Sequence, residues 1–186
     1  MGVLALLLLN LSLVVITVLV TQTQAANWAH EIPYEDLGKE KVTKLHFYFH
    51  DIVGGDNPTA VRVAEAPMTN KSATLFGAVV MVDDPLTEGP EITSRLVGRA
   101  QGFYGSAGQK EGAILMAISY IFTDEKFNGS ILNVLSRNPF TTPVREFSIV
   151  GGTGLFRYAR GFVQAKTYFF NNDGAVVEYN VTAIHY

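Results

Sequence analysis

Apolar and polar residues alternate along most of the chain with a period of two. In "KLHFYFHDIV", residues 44–53, Leu45, Phe47 and Phe49 fall on one side of an extended backbone. Lys44, His46, Tyr48 and His50 fall on the other side. Asp51 then lands on the apolar side, at the end of a row of aromatics. Runs of this kind recur between clusters of Gly, Pro, Asn and Asp. They predict strands over residues 42–53, 60–65, 72–82, 96–104, 112–123, 129–135, 145–150, 158–169 and 175–185. The breaks include "GGDNP", "DDPLTEGPE", "RNPFTTP", "GGTG" and "NNDG". No run carries a convincing helical stripe. Residues 112–123 come nearest, and their Ile, Tyr and Phe content favours strand.

Eight or nine strands with short connections predict an all-β, meandering antiparallel sheet. Such a sheet closes into a barrel or splits into a sandwich. Small residues favour the barrel. Gly98, Ala100 and Gly102 share one face of their strand, and Gly161, Val163, Ala165 and Thr167 share one face of theirs. Small side chains on an inner face leave room for a ligand, and eight strands make a barrel wide enough to hold one. The expectation is an eight-stranded antiparallel β-barrel with a central cavity.

The ends of the chain modify this picture. Residues 3–20 are almost wholly aliphatic, and Thr23-Gln24-Ala25 places small residues where a signal peptidase cuts. Residues 1–25 are therefore expected to be a signal peptide, residues 26–41 a polar lead-in, and residues 42–186 the barrel. An uncleaved anchor is the competing reading, because eighteen mostly apolar residues nearly span a bilayer. Cleavage is favoured by the site that follows, leaving a secreted chain with no membrane attachment. The net charge of −3 provides no basic footprint for nucleic acid. The absence of cysteine removes disulfides, thiol nucleophiles and thiolate metal sites. Asn70, Asn128 and Asn180 each begin an N-glycosylation triplet.

Candidate chemistry is sparse. Asp51 is either an inward acid whose pKa is raised by apolar walls or a cap on the turn that follows it. His46 and His50 lie roughly 13 Å apart on a strand, too far to share a metal ion, and are expected at the surface. Tyr104 shares the small-residue face and offers a phenol inside the barrel or at its rim. Arg145 is an inward partner for an oxyanion or a solvated strand end. Asp83-Asp84, before Pro85, reads most simply as a turn. "GGTG" lacks the ending of a phosphate loop and also reads as a tight turn. No metal site and no cofactor are expected.

Five blocks carry a family pattern: "FYFHDIV", "VGRAQGFY", "FNGSILNVLSRNP", "REFSIVGGTGLFRYARGF" and "VVEYNVTAIHY". In order and spacing they resemble the dirigent proteins of plants across the whole chain after residue 25. The resemblance implies a secreted, glycosylated barrel in the apoplast, assembled as a homo-oligomer, either dimer or trimer. It implies no oxidase activity. A separate laccase or peroxidase makes radicals from small phenolic phenylpropanoids, and the barrel sets the stereochemistry of lignan-type coupling or of quinone methide cyclisation. Some relatives instead dehydrate an isoflavanol to a pterocarpan, which would make this chain a lyase. A non-catalytic role in phenolic binding or in the cell wall is a further alternative.

Carried over residue by residue, the resemblance assigns catalytic parts to Asp51, Tyr104 and Arg145. It places Thr167 in the substrate site, and the inner faces add Phe49, Gly102 and Ala165. Two departures stand out. Asn138 and Ser106 occupy positions where pinoresinol-forming members carry a second aspartate and a second tyrosine. The resemblance therefore leaves this chain short of a second pocket acid.

Overall fold

The computed structural model describes residues 29, 31–124 and 126–186. The expected signal segment and its cleavage site lie outside them. The chain divides into two units, Met1–Leu37 and Gly38–Tyr186. The described part of the first holds one 3-10 turn, Tyr34–Leu37. The second contains β1 (Lys41–Ile52), β2 (Ala60–Ala64), β3 (Val79–Thr87), β4 (Leu96–Ser106), β5 (Ile114–Phe122), β6 (Ile131–Asn138), β7 (Val144–Thr153), β8 (Arg160–Asn171) and β9 (Gly174–His185).

The strands pair antiparallel in the order β1-β9-β8-β7-β6-β5-β4-β3-β2, and β1 also pairs with β3. That last pairing, Tyr48 with Thr87 and Phe49 with Leu86, closes eight strands into a barrel. β2 remains outside the ring and shares the free edge of β3. Inner faces follow the period of two: Phe47, Val82, Ala100, Ile118, Val134, Phe147, Val163 and Tyr179 are all buried.

One end of the barrel is plugged by aromatics. Phe122 and Phe156 meet at 5.6 Å, Phe127 stacks on Phe156 at 5.3 Å, and His185 packs edge-on at 5.1 Å. Such pairs each contribute about 0.5–1.5 kcal/mol beyond their burial. At the other end the inner-face residues Asp51, Tyr104, Thr167 and Ala175 are only half-buried. Among the described residues this is the more open end of the interior.

Four sequence expectations are corrected. First, "DDPLT" is strand, not a break. The Asp83 N–H donates to Thr59 away from β4, so alternation places the N–H that Pro85 lacks on the same edge. β3 pairs there with β2 through Val82 and with β1 only from Leu86, so no ladder bond is lost at the fork. Second, residues 72–78 are not strand, because Leu75 and Gly77 take positive φ values. Third, β7 runs through Gly151, Gly152 and Thr153, and only Gly154 turns. Fourth, His50 is buried, not a surface residue. It lies outside the barrel wall and hydrogen-bonds Thr87 at 2.6 Å, while the Thr87 hydroxyl donates to the Gly89 carbonyl. His46 remains exposed.

A candidate acid–base pocket

Seven strands place a polar or small residue at the open end. Asp51 is the last inward residue of β1 and pairs with Ala175 of β9. The Tyr104 hydroxyl, from β4, donates to Asp51 at 3.2 Å to Oδ2 and 3.5 Å to Oδ1. Burial raises the Asp51 carboxyl to about 6 against the lowering effect of that hydrogen bond. Burial also pushes the Tyr104 phenol well above its ordinary range, and the charge of Asp51 adds to the shift. Tyr104 is therefore a hydrogen-bond donor at neutral pH, not a base.

The residue that sequence reasoning missed is Asp84. It is wholly buried on the inner face of β3. The β1–β3 register, continued from Phe49 and Leu86, sets it opposite Asp51. The strands part at that point around Thr59, whose hydroxyl donates to Asp84 Oδ1 at 2.5 Å. Oδ2 is buried and has no protein partner. Burial raises this carboxyl to about 8, with the Thr59 hydrogen bond opposing and the Asp51 charge reinforcing. The pocket thus holds two acids, the second at the site read from sequence as a turn. The signal that could have located Asp84 was its spacing from Val82 and Leu86 on one strand face.

The opposite wall carries a buried cation. Arg145 donates to Thr167 Oγ1 at 2.8 Å, to Asn138 Oδ1 at 3.3 Å and to the Thr142 carbonyl at 3.5 Å. These partners are all neutral, and burial pulls the guanidinium below its ordinary pKa. A buried, uncompensated guanidinium is a receptor for an oxyanion. Asn138, where a second acid was missing, serves to orient it. Ser106 donates instead to the Thr74 carbonyl. Between the acids and Arg145 stands Tyr179, which stacks on Phe49 at 5.5 Å and forms an apolar floor.

Ala165 is fully buried, and a Cβ on Gly102 would stand 2.2 Å from the Ala117 carbonyl oxygen. The missing side chain at Gly102 thus lets the neighbouring β5 backbone approach. Of the three sequons, Asn128 is exposed in the turn after Phe127. Asn70 bonds Arg62 and Glu65. Asn180 lies on the outer wall beside His46 and Glu178. Among the described residues no three His, Cys, Asp or Glu side chains cluster to hold a metal.

The acid pair predicts a pH effect on stability. Both carboxyls hold protons more tightly folded than unfolded. The stability they contribute is full below about pH 4 and is lost as pH rises through about 6 and then about 8. Asp84→Asn removes the larger shift, so at pH 9 the variant should be more stable than the parent, by a few kcal/mol in order of magnitude, and melt at a higher temperature. The two should converge near pH 4. Calorimetry at both values checks this, and equal melting at pH 9 would contradict it.

A family model described as "Dirigent-like protein" matches residues 42–184. "Dirigent protein 11" of Arabidopsis thaliana is 51% identical over 182 residues, covering 96% of this chain and 94% of the relative. "Pterocarpan synthase 1" of Glycyrrhiza echinata is 52% identical over 151 residues, covering 80% of each. The solved structure of the pterocarpan synthase dirigent protein GePTS1 superposes with a TM-score of 0.76 at 51% identity. That match covers 80% of this chain and 87% of the other.

Proposed function

This chain belongs to the dirigent-like family, and from that premise we propose that its pocket binds a phenolic substrate and directs a quinone methide to one stereoisomer. One observation carries the reading. Two inward carboxyls of unlike proton affinity face an uncompensated guanidinium across an apolar floor. A phenolic oxygen fits Arg145 and Thr167, where developing negative charge is stabilised in a low-dielectric site. The carbon that reacts then lies toward Asp51 and Asp84.

Two routes reach the intermediate. In one, a separate laccase or peroxidase supplies radicals that couple to it. In the other, the chain acts on an isoflavanol without an oxidant. The second route is favoured by Asp84, which near neutral pH still holds a proton to give. Asp84 protonates the leaving hydroxyl, the C–O bond breaks, water departs, and the phenol held by Arg145 releases its proton to solvent. A second phenol oxygen then attacks the same carbon and yields its proton to Asp51. The quinone methide oxygen regains a proton from solvent, and Asp51 returns its proton to Asp84. The net change is loss of one water. The relatives named pterocarpan synthases support this route.

The test uses two reactions resolved by chiral chromatography. One holds coniferyl alcohol and a one-electron oxidant, and the other a racemic isoflavanol alone. Oxidant-free dehydration supports the lyase route, and enantiomeric excess only in the first supports coupling. Racemic product with no turnover contradicts the proposal.

The same reading has the chain secreted to the apoplast, glycosylated and oligomeric. The outer wall supports the last two points. Val61, Met81, Phe103, Ala117 and Leu135 pair in one row across β2 to β6. Four of them are about half exposed, from 43% for Phe103 to 52% for Val61. The opposite side carries a polar row, Glu146, Gln164, Asn180 and His46, with the Asn180 sequon inside it. A second copy would cover the apolar row and a glycan would occupy the polar one. Phe103→Lys with Leu135→Lys should shift the chain to monomer in sedimentation. An unchanged mass would place the interface elsewhere.

A further inference from the structure

Phe170 stands on the inner lip of the pocket because β8 carries a bulge. Thr167 pairs with Val177, but the next paired residue, opposite Val176, is Phe169 and not Tyr168. Strict alternation from Thr167 would turn Phe169 inward. The extra residue reverses the parity. Phe169 pairs with outward Val176, and Phe170 pairs with Ala175. Ala175 also pairs with Asp51. Phe170, Ala175 and Asp51 thus form one inward-facing row across three strands at the open end.

The Phe170 side chain is 75% exposed, more than any other large hydrophobic among the described residues. An aromatic ring left bare on the same face as the pocket acid lacks a partner that the substrate could supply. Two strand spacings separate it from Asp51, about 9.6 Å between backbones. That is the reach of a molecule with two linked rings, not of one ring. We infer that Phe170 contacts a second, non-reacting aromatic ring, so that the pocket selects two-ring phenols over single-ring ones. This rests on the phenol-binding reading above and names its substrate class.

Calorimetric titration tests it with two unreactive probes. One is a hydroxylated isoflavan, with two aromatic rings and no leaving hydroxyl, and the other is 4-propylphenol. The isoflavan should bind the parent chain, and Phe170→Ala should weaken it about tenfold, the scale of one aromatic contact. Phe170→Trp should restore binding. Propylphenol should bind parent and Phe170→Ala alike. The side chain is exposed, so the melting temperature should not move. Equal isoflavan affinity in parent and Phe170→Ala overturns the inference while leaving the phenol-binding reading intact. Equal weakening of both probes also overturns it. If the parent binds neither probe, the phenol-binding reading fails as well.

Discussion

Asp51→Asn is expected to lower turnover by about 100- to 10,000-fold, the range for loss of a general acid–base group, while the barrel stays folded. The amide keeps the shape of the side chain and can still accept the Tyr104 hydroxyl hydrogen bond. It cannot accept or return a proton. Folding should survive, because burial already disfavours the charge that the substitution removes. Asp84→Asn should reduce activity similarly, and the two losses should not add, because the residues pass one proton between them. Rates measured for both single variants and the double variant check this. A double variant as poor as the product of the two singles would mean that the carboxyls act separately.

Gly102→Ala is expected to damage the fold strongly. Gly102 has φ of +152°, a conformation that an L side chain rarely adopts. An added Cβ would also meet the Ala117 carbonyl oxygen at 2.2 Å and Ile118 Cα at 2.9 Å. The backbone cost is about 1–3 kcal/mol and the overpacking cost about 1–3 kcal/mol. Together they come to about 2–6 kcal/mol, which at its upper end reaches the lower end of an ordinary domain's total stability of about 5–15 kcal/mol. Gly151→Ala provides the control, since nothing lies within 4 Å of its added Cβ. Thermal melts of the two should differ sharply. Similar melting temperatures would show that β4 relaxes around the methyl group.

The sequence carried the barrel wall legibly, because burial of one sheet face imposes a period of two that survives in the residues. It also placed Asp51, Tyr104 and Thr167 on inner faces. Asp84 was illegible for a physical reason. Asp-Asp-Pro is a turn signal wherever a proline's missing N–H would break a ladder, and here it does not. The edge beside Pro85 lies at the fork between β1 and β2, a fact of long-range pairing. His50 was hidden likewise, because its cover is the loop after β3, remote in sequence. The glycines on the inner face were legible as small but not as to cause. Their size serves the adjoining strand, whose backbone stands where a Cβ would be. The bulge at Tyr168 leaves no mark in composition, yet it decides which phenylalanine reaches the pocket lip.

The central claim is that Asp51 works ionised while Asp84 works protonated. The most direct measurement is the pH dependence of kcat/KM for oxidant-free isoflavanol dehydration. The account predicts a bell with limbs near 6 and near 8, set by the Asp51 and Asp84 carboxyls, which as a coupled pair titrate together. Asp84→Asn should abolish the alkaline limb along with most of the rate. A rate that is flat from pH 5 to pH 9, or an Asp84→Asn variant with parental activity, would contradict it.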